Sequence, residues 1–255
     1  MLAALRSILA DPHTRGMDLD DPATTARRRQ IVREKIFLRR IYEEWYRNLA
    51  GEIPAGEKPV LELGSGAGFC KEFIPKLITS EIFPIEGIDV VLDGQRMPFA
   101  DASLRGVVMT DVLHHLPRVR DFFREAGRCV EPGGVIAIIE PWASTWGKFV
   151  YRHFHHEPFE PAATQWEFPS TGPLSGANGA LPWIIFVRDR AQFEREFPQW
   201  RIEKIEPMMP LRYLVSGGIS MRPLAPAWSY KSFESLDHLL ANSGMFVNVV
   251  LRREA

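Results

Sequence analysis

Apolar side chains at Ile31, Val32, Ile36, Phe37, Ile41, Tyr42, Trp45 and Leu49 recur at helical spacing with Arg and Glu between them. This pattern predicts one amphipathic helix over 26–49. Its basic positions, Arg27, Arg28, Arg29, Arg33, Lys35, Arg39 and Arg40, could meet anionic lipid or nucleic acid, but seven acids offset ten bases over residues 1–50, and they read as a solvated face. From Pro59 the period changes. The runs "PVLELGSG", "LITSE", "GIDVVLD", "LRGVVMTD" and "VIAIIE" have the length and composition of buried strands, whereas "FCKEFIPK" and "RVRDFFREAGRCV" read as helices. Alternating strands and helices predict an α/β fold with a doubly wound, mostly parallel sheet and right-handed crossovers. "EPGG" is a turn, in which Pro132 ends the helix and Gly133 or Gly134 takes positive φ.

Residues 158–183, "PFEPAATQWEFPSTGPLSGANGALPW", hold five prolines and three glycines and show no steady period. So long a loop in a compact domain suggests a lid over a site, or a dimer contact. The chain then returns to a helix, "RDRAQFEREF", and to strands "WRIEKIEPM" and "MFVNVVLRRE", with a second apolar insertion between those strands. The expected organisation is a helical cap over 1–57 and a domain over 58–255, with lid or substrate insertions at about 143–188 and 208–235.

At 255 residues the chain can bury one substantial core. A formal net charge of -1 provides no global field for nucleic acid. Two cysteines, Cys70 and Cys129, make no disulfide framework and suit a reducing compartment. No apolar run reaches the roughly 20 residues of a membrane span, and Met1 to Ala10 lacks a leader pattern. A cytoplasmic protein is expected, with peripheral membrane contact left open and no indication of oligomeric state.

Candidate chemistry starts at "VLELGSGAGF", where a strand runs into Gly64, Gly66 and Gly68. Glycine permits positive φ and removes the Cβ that would strike a ligand at the carboxyl edge of a sheet. A dinucleotide fingerprint would need glycine at position 69, which is Phe69, and no Gly-Lys-Ser or Gly-Lys-Thr follows to make a phosphate loop.

"VLELGSGAGF", followed in order by "LDGQRMPFADASLRGVVMTDVLHHLP" and "CVEPGGVIAII", resembles the class I, Rossmann-like S-adenosylmethionine-dependent methyltransferases. The match covers about residues 58–142 and is nearest to the small-molecule branch that includes the quinone-biosynthesis C-methyltransferases. The resemblance implies a seven-stranded sheet and S-adenosylmethionine as cofactor. It implies that Gly64, Ser65 and Gly66 cradle the cofactor, that Glu62 orders its amino group, and that Asp111 meets its methionine moiety. It also places Asp93, followed by Gly94, at the adenine. A carboxylate ending the second strand would take the ribose hydroxyls, since an acceptor-only group suits a diol. Glu81 is assigned there, because ending that strand at Asp89 would leave too little chain for the next one; Asp89 stays as the alternative.

With the methyl group already activated, the protein has mainly to align the acceptor and remove a proton where one must leave. Candidate bases are His155 and His156, with His153 and Glu157 beside them, and His115 of the His114–His115 pair; packing at a turn or exposure on a helix would account for the same residues. No metal-ligand spacing is present. Trp142, Trp146, Trp166 and Trp183, and Glu140 at a strand end, either line an acceptor pocket or fill the core. The expected activity is methyl transfer to a small aromatic or apolar acceptor. The alternative is a catalytically silent cofactor-binding regulator of the same fold. RNA or protein methylation is disfavoured by the charge and by the lack of an Asn-Pro-Pro-Tyr-like motif.

Overall fold

Asp21 accepts the Ala23 N–H at 2.8 Å and Pro22 occupies the first turn, so helix α1 (Pro22–Glu34) starts there. The computed structural model describes residues 11, 21–155, 157–170, 172 and 176–254. The helical pattern does not make one helix: the chain leaves the α region at Lys35 (φ -77°, ψ 93°), and α2 runs over Ile36–Glu52. Lys35 explains the break. Its Nζ donates to the carbonyls of Gly218 (3.1 Å) and Met221 (2.6 Å) and pairs with Asp11 at 3.1 Å. α2 buries Phe37, Leu38, Ile41, Tyr42, Trp45, Tyr46 and Leu49.

Seven strands follow: β1 (Val60–Leu63), β2 (Leu77–Glu81), β3 (Val90–Val91), β4 (Leu104–Thr110), β5 (Val130–Pro141), β6 (Trp200–Met208) and β7 (Phe246–Arg253). They form one sheet in the order β3-β2-β1-β4-β5-β7-β6. The first five are parallel, and β7 lies antiparallel between β5 and β6. All four residues of β1 are buried, as expected of a central strand covered on both faces. The order reverses between β1 and β4, and a crevice opens there at the strands' carboxyl ends.

Three expected elements differ. "FCKEFIPK" is not an α-helix but a single 3-10 turn, Cys70–Glu72. Pro75 and the left-handed Lys76 (φ 58°) close the short connection to β2, and Tyr46 of α2 fills the layer by packing on Phe69 and Phe73 at 5.1 and 5.7 Å. The strand "GIDVVLD" contracts to Val90–Val91. "EPGG" lies inside β5 as an irregularity, with Gly133 at φ +82° and the pairing to β4 shifting between Leu104 and Gly106.

Helix α3 (Val119–Cys129) buries Phe122 and Phe123 against the sheet. α4 (Thr145–Phe154) begins at Ser144, whose hydroxyl accepts the Gly147 N–H at 2.8 Å. The described part of the long loop is a packed cover. Trp166 is 1% exposed, donates to Asp189 at 2.9 Å and lies under the Arg120 guanidinium at 4.2 Å, while the Asn178 N–H bonds the His114 carbonyl at 2.9 Å. Beyond α5 (Arg190–Glu196) and β6, the second insertion carries α6 (Arg212–Ser216) and α7 (Tyr230–Leu239). Arg212 ties them to α2, reaching Asp237 at 2.5 Å and Glu44 at 2.6 Å. No helix among the described residues is long and apolar enough to cross a membrane.

Candidate active site

A cavity of about 960 Å³ occupies the crevice, at the top of the usual range for ligand pockets. Its floor is the glycine loop, and each glycine is demanded by a protein side chain. A Cβ on Gly64 (φ +67°) would strike Val112, one on Gly66 would lie 2.6 Å from Glu81 Oε1 and strike Thr25, and one on Gly68 would strike the Tyr46 hydroxyl. The loop is thus squeezed between α1, α2 and the ends of β2 and β4.

The N-terminal helices are walls of this cavity. Thr24, Thr25 and Arg28 of α1 and Tyr42 and Tyr46 of α2 line it, and Arg29 Nε donates to the Gly66 carbonyl at 2.8 Å. The expectation of a solvated basic face fails at Arg28, Arg29 and Lys35. Arg29 is tied to a loop 37 residues away, so its local sequence carries no sign of that partner.

The predicted cofactor residues separate into two groups. Glu62, Gly64, Glu81, Asp93, Gly94 and Asp111 line the cavity. Glu81 ends β2 with one oxygen accepting the Gly66 N–H and the other the Ile82 N–H, both at 3.0 Å, which leaves lone pairs on each oxygen. Asp93 Oδ1 accepts the Gln95 backbone and side-chain N–H groups. Ser65 points away: its hydroxyl accepts the Ser80 N–H at 3.1 Å, and it is a brace of the loop. Asp89 lies outside the cavity, where Lys71 pairs with it at 2.6 Å and Thr79 donates to it.

Burial pushes the Glu62 carboxyl up to about 7, against hydrogen bonds from Ser65 and Cys70. Burial also raises Glu81. Asp111 is raised to about 7 by burial, with the Glu140 and Glu157 charges adding to it and His114 opposing. Its backbone is left-handed (φ 56°), a strained state for a residue with a Cβ. Three partly desolvated carboxyls facing one cavity favour a cationic ligand.

A second polar group adjoins Asp111. Glu140, fully buried at the end of β5, takes the Val112 and Leu113 N–H groups on Oε1 (2.7 and 2.6 Å) and His114 Nδ1 on Oε2 (2.5 Å). His114 Nε2 faces Glu157 Oε2 at 3.4 Å. Burial would lower His114, but the Glu140 and Glu157 charges hold it well above its ordinary value, and burial's upward push on Glu157 is likewise overridden by His114. His115 bonds the Gly176 carbonyl through Nδ1 at 3.1 Å, and burial with the His114 charge pushes it down to about 4. His155 Nδ1 accepts the Glu157 N–H at 3.3 Å. Of the predicted bases, His115 and His155 therefore meet at Glu157, and His156 lies outside the described residues. His153 lies on the exposed side of α4, bonded to the Phe149 carbonyl.

None of the four tryptophans lines the cavity. Trp142 and Trp166 are core, Trp146 donates to the Pro210 carbonyl at 2.7 Å, and Trp183 lies beneath Lys148. The aromatic wall is instead Tyr151, Phe154, Tyr213 and Phe246 with Tyr42 and Tyr46, five of them from α2, α4 and α6.

Residues 61–138 match the family described as "Methyltransferase domain". No curated protein sequence matches the chain. Among solved structures, geranyl diphosphate C-methyltransferase from Streptomyces coelicolor A3(2) is 12% identical, with 96% of this chain and 89% of that one aligned at a TM-score of 0.52. A chain of the complex between the Haloferax volcanii Trm112 methyltransferase activator and a methyltransferase is 13% identical, with 89% and 97% aligned at 0.51. At these identities the two structures share the fold. The family match spans the glycine loop and the strands behind it, on a sheet of this order and beside an acidic cavity suited to a sulfonium and an ammonium. The chain therefore has the fold shared by these methyltransferases and carries the match to the methyltransferase domain over residues 61–138, at the site itself.

Proposed function

We propose that the enzyme methylates a small aromatic or apolar acceptor. The observation that carries this reading is the division of the cavity: a carboxylate-lined end at the glycine loop, and an aromatic wall of Tyr151, Phe154, Tyr213 and Phe246 closing on the polar group around Glu157. A flat or greasy molecule suits such a wall, and a polar reacting group on it would lie against His115, His155 and Glu157.

S-adenosylmethionine, when bound, supplies a methyl group already activated on a sulfonium. The glycine loop would pass beside it, Glu81 would offer two oxygens to a vicinal diol, Asp93 and Gly94 would flank the adenine end, and Glu62 and Asp111 would offer charge to the methionine end. Tyr151 and Tyr213 would orient the acceptor and keep water out, since both rings are buried beside the cavity or partly so. A proton leaving the acceptor would pass to the group formed by His115, His155 and Glu157. The near-zero net charge supports a small molecule over nucleic acid, and two free, buried cysteines suit the cytoplasm.

The test is calorimetric titration of the full chain with S-adenosylhomocysteine, then incubation with labelled S-adenosylmethionine and a panel of phenols, quinols and prenylated aromatics. One-site binding and label on a panel member are expected. Label appearing only on RNA or protein from an extract would overturn the small-acceptor reading.

A further inference from the structure

We propose that His114, His115 and Glu157 form a binding site for one divalent transition-metal ion of the zinc class, open toward the cavity. Their ligand atoms lie within 4.8 Å of one another, and all three residues line the cavity. The proposal rests on this cluster alone and stands whether or not the acceptor is aromatic.

Both imidazoles are set for it. His114 Nδ1 is taken by Glu140, whose other oxygen is fixed by two backbone N–H groups, and His115 Nδ1 is taken by the Gly176 carbonyl. Each ring thus has its Nδ1 proton held by an oxygen, and an ion would bind through Nε2, displacing the proton that His114 carries there toward Glu157. A carboxylate behind the far nitrogen is the usual outer support of a metal-binding histidine, fixing tautomer and orientation. His114 Nε2 is buried and makes no well-aligned hydrogen bond among the described residues. It faces Glu157 Oε2 at 3.4 Å, and His115 Nε2 faces Glu157 Oε1 at 3.9 Å.

Those spacings are long for hydrogen bonds but suit ligands that share an ion. Metal–ligand lengths of about 2.1 Å in a tetrahedral site put ligand atoms about 3.4 Å apart. His114 and Glu157 already stand at that spacing, and the remaining pairs, within 4.8 Å, would draw in on the ion. Two imidazoles and one carboxylate are the donor set of open zinc sites, with the remaining position left for water or an oxygen of a bound molecule. Nitrogen donors favour zinc, cobalt or iron over magnesium. The open position faces the aromatic-walled half of the cavity, so the ligand it would take is an anionic oxygen of the acceptor, such as a phenolate, enolate or carboxylate. His155, which is not in the donor set, then remains beside Glu157 for proton transfer.

The experiment uses the full chain, stripped by chelator and dialysed, with no methyl donor or acceptor present. Co²⁺ is titrated while visible ligand-field bands are recorded, and Zn²⁺ is titrated by calorimetry with Mg²⁺ as comparison. One Co²⁺ per chain, displaced by Zn²⁺, is expected. Glu157→Gln should weaken binding at least tenfold, Glu140→Gln by roughly 10- to 100-fold, and His153→Asn by less than twofold. Because variants at buried sites can unfold, the wild-type protein is also read directly: Zn²⁺ must shift the ring nitrogen resonances of His114 and His115. No Co²⁺ bands in folded protein, unmoved histidine resonances, or binding unchanged in folded Glu157→Gln would each overturn the proposal and leave the cluster a protonated His114 paired with Glu157.

Discussion

Glu62 gives the sharpest test of how the cavity is built. Its carboxyl is 4% exposed and is pushed from an ordinary 4.5 to about 7, chiefly by burial. At about 1.4 kcal/mol for each tenfold change, ionising it in the folded chain opposes folding by about 3 kcal/mol. Below pH 4.5 the group is protonated in both folded and unfolded chains, and the penalty vanishes. Between 4.5 and about 7 the unfolded chain releases the proton first, so stability falls as pH rises, and above 7 the loss is constant. Glu62→Gln carries no charge in either state. Relative to wild type it should be nearly neutral at pH 4 and should gain up to about 3 kcal/mol at pH 8, a rise in Tm of about 6 °C or more for a chain of this size. Differential scanning calorimetry at the two pH values reads this directly. The same substitution should weaken S-adenosylmethionine binding about tenfold or more at pH 8, because the cation loses a buried counter-charge. A stability difference that does not change with pH, or a variant less stable than wild type at pH 8, would refute the argument.

Gly66→Ala places a Cβ against Thr25 and 2.6 Å from Glu81 Oε1; a loss of about 1–3 kcal/mol in denaturant melts and a tenfold or greater loss of S-adenosylhomocysteine affinity are expected. Glu81→Ala should weaken that affinity by about 10- to 100-fold, a loss of about 1.4–3 kcal/mol, whereas Asp89→Ala should leave it within about twofold; equal effects in calorimetry would undo the ribose assignment. Asp111→Gly relieves a left-handed backbone at φ 56°, so a gain of about 1 kcal/mol in stability with weaker cofactor binding is expected from paired melting and titration. Arg212→Met leaves the buried Asp237 without its partner and should cost about 3–5 kcal/mol, seen as a large drop in the urea midpoint.

The sheet was legible because its strands are short apolar or alternating runs between turns, and β1, β2, β6 and β7 fall where "VLEL", "LITSE", "WRIEKIEPM" and "MFVNVVLRRE" put them. Glu81 could be placed by counting the chain available for the next strand. What the sequence hid are contacts that local pattern does not encode. A helical period runs unbroken through Lys35, yet carbonyls from the second insertion end the helix there. The glycine spacing is visible, but its cause lies in Thr25, Tyr46, Glu81 and Val112, four residues from separate parts of the chain. The tryptophans left pocket and core both open, because the size that suits a ring to a pocket also buries it, as it does Trp142 and Trp166. Glu140 gave no sign that it would support His114, because a strand-end carboxylate looks the same whether it faces solvent or a ring nitrogen.

Lys35 joins two regions of the cavity that the proposed function gives to different ligands. Its ammonium sits at the end of α1, which lends Thr24, Thr25 and Arg28 to the carboxylate-lined half of the cavity, and it grips the carbonyls of Gly218 and Met221, beside the Ser220 and Met221 that line the cavity from the second insertion. Together with the Arg212–Glu44 pair, it fastens the first and last thirds of the chain to each other. A ligand that settles one jaw restrains the other, so cofactor and acceptor are expected to bind with positive coupling and in a preferred order. Lys35→Met should flatten that coupling in paired titrations, and if coupling persists unchanged, the two jaws communicate by another route.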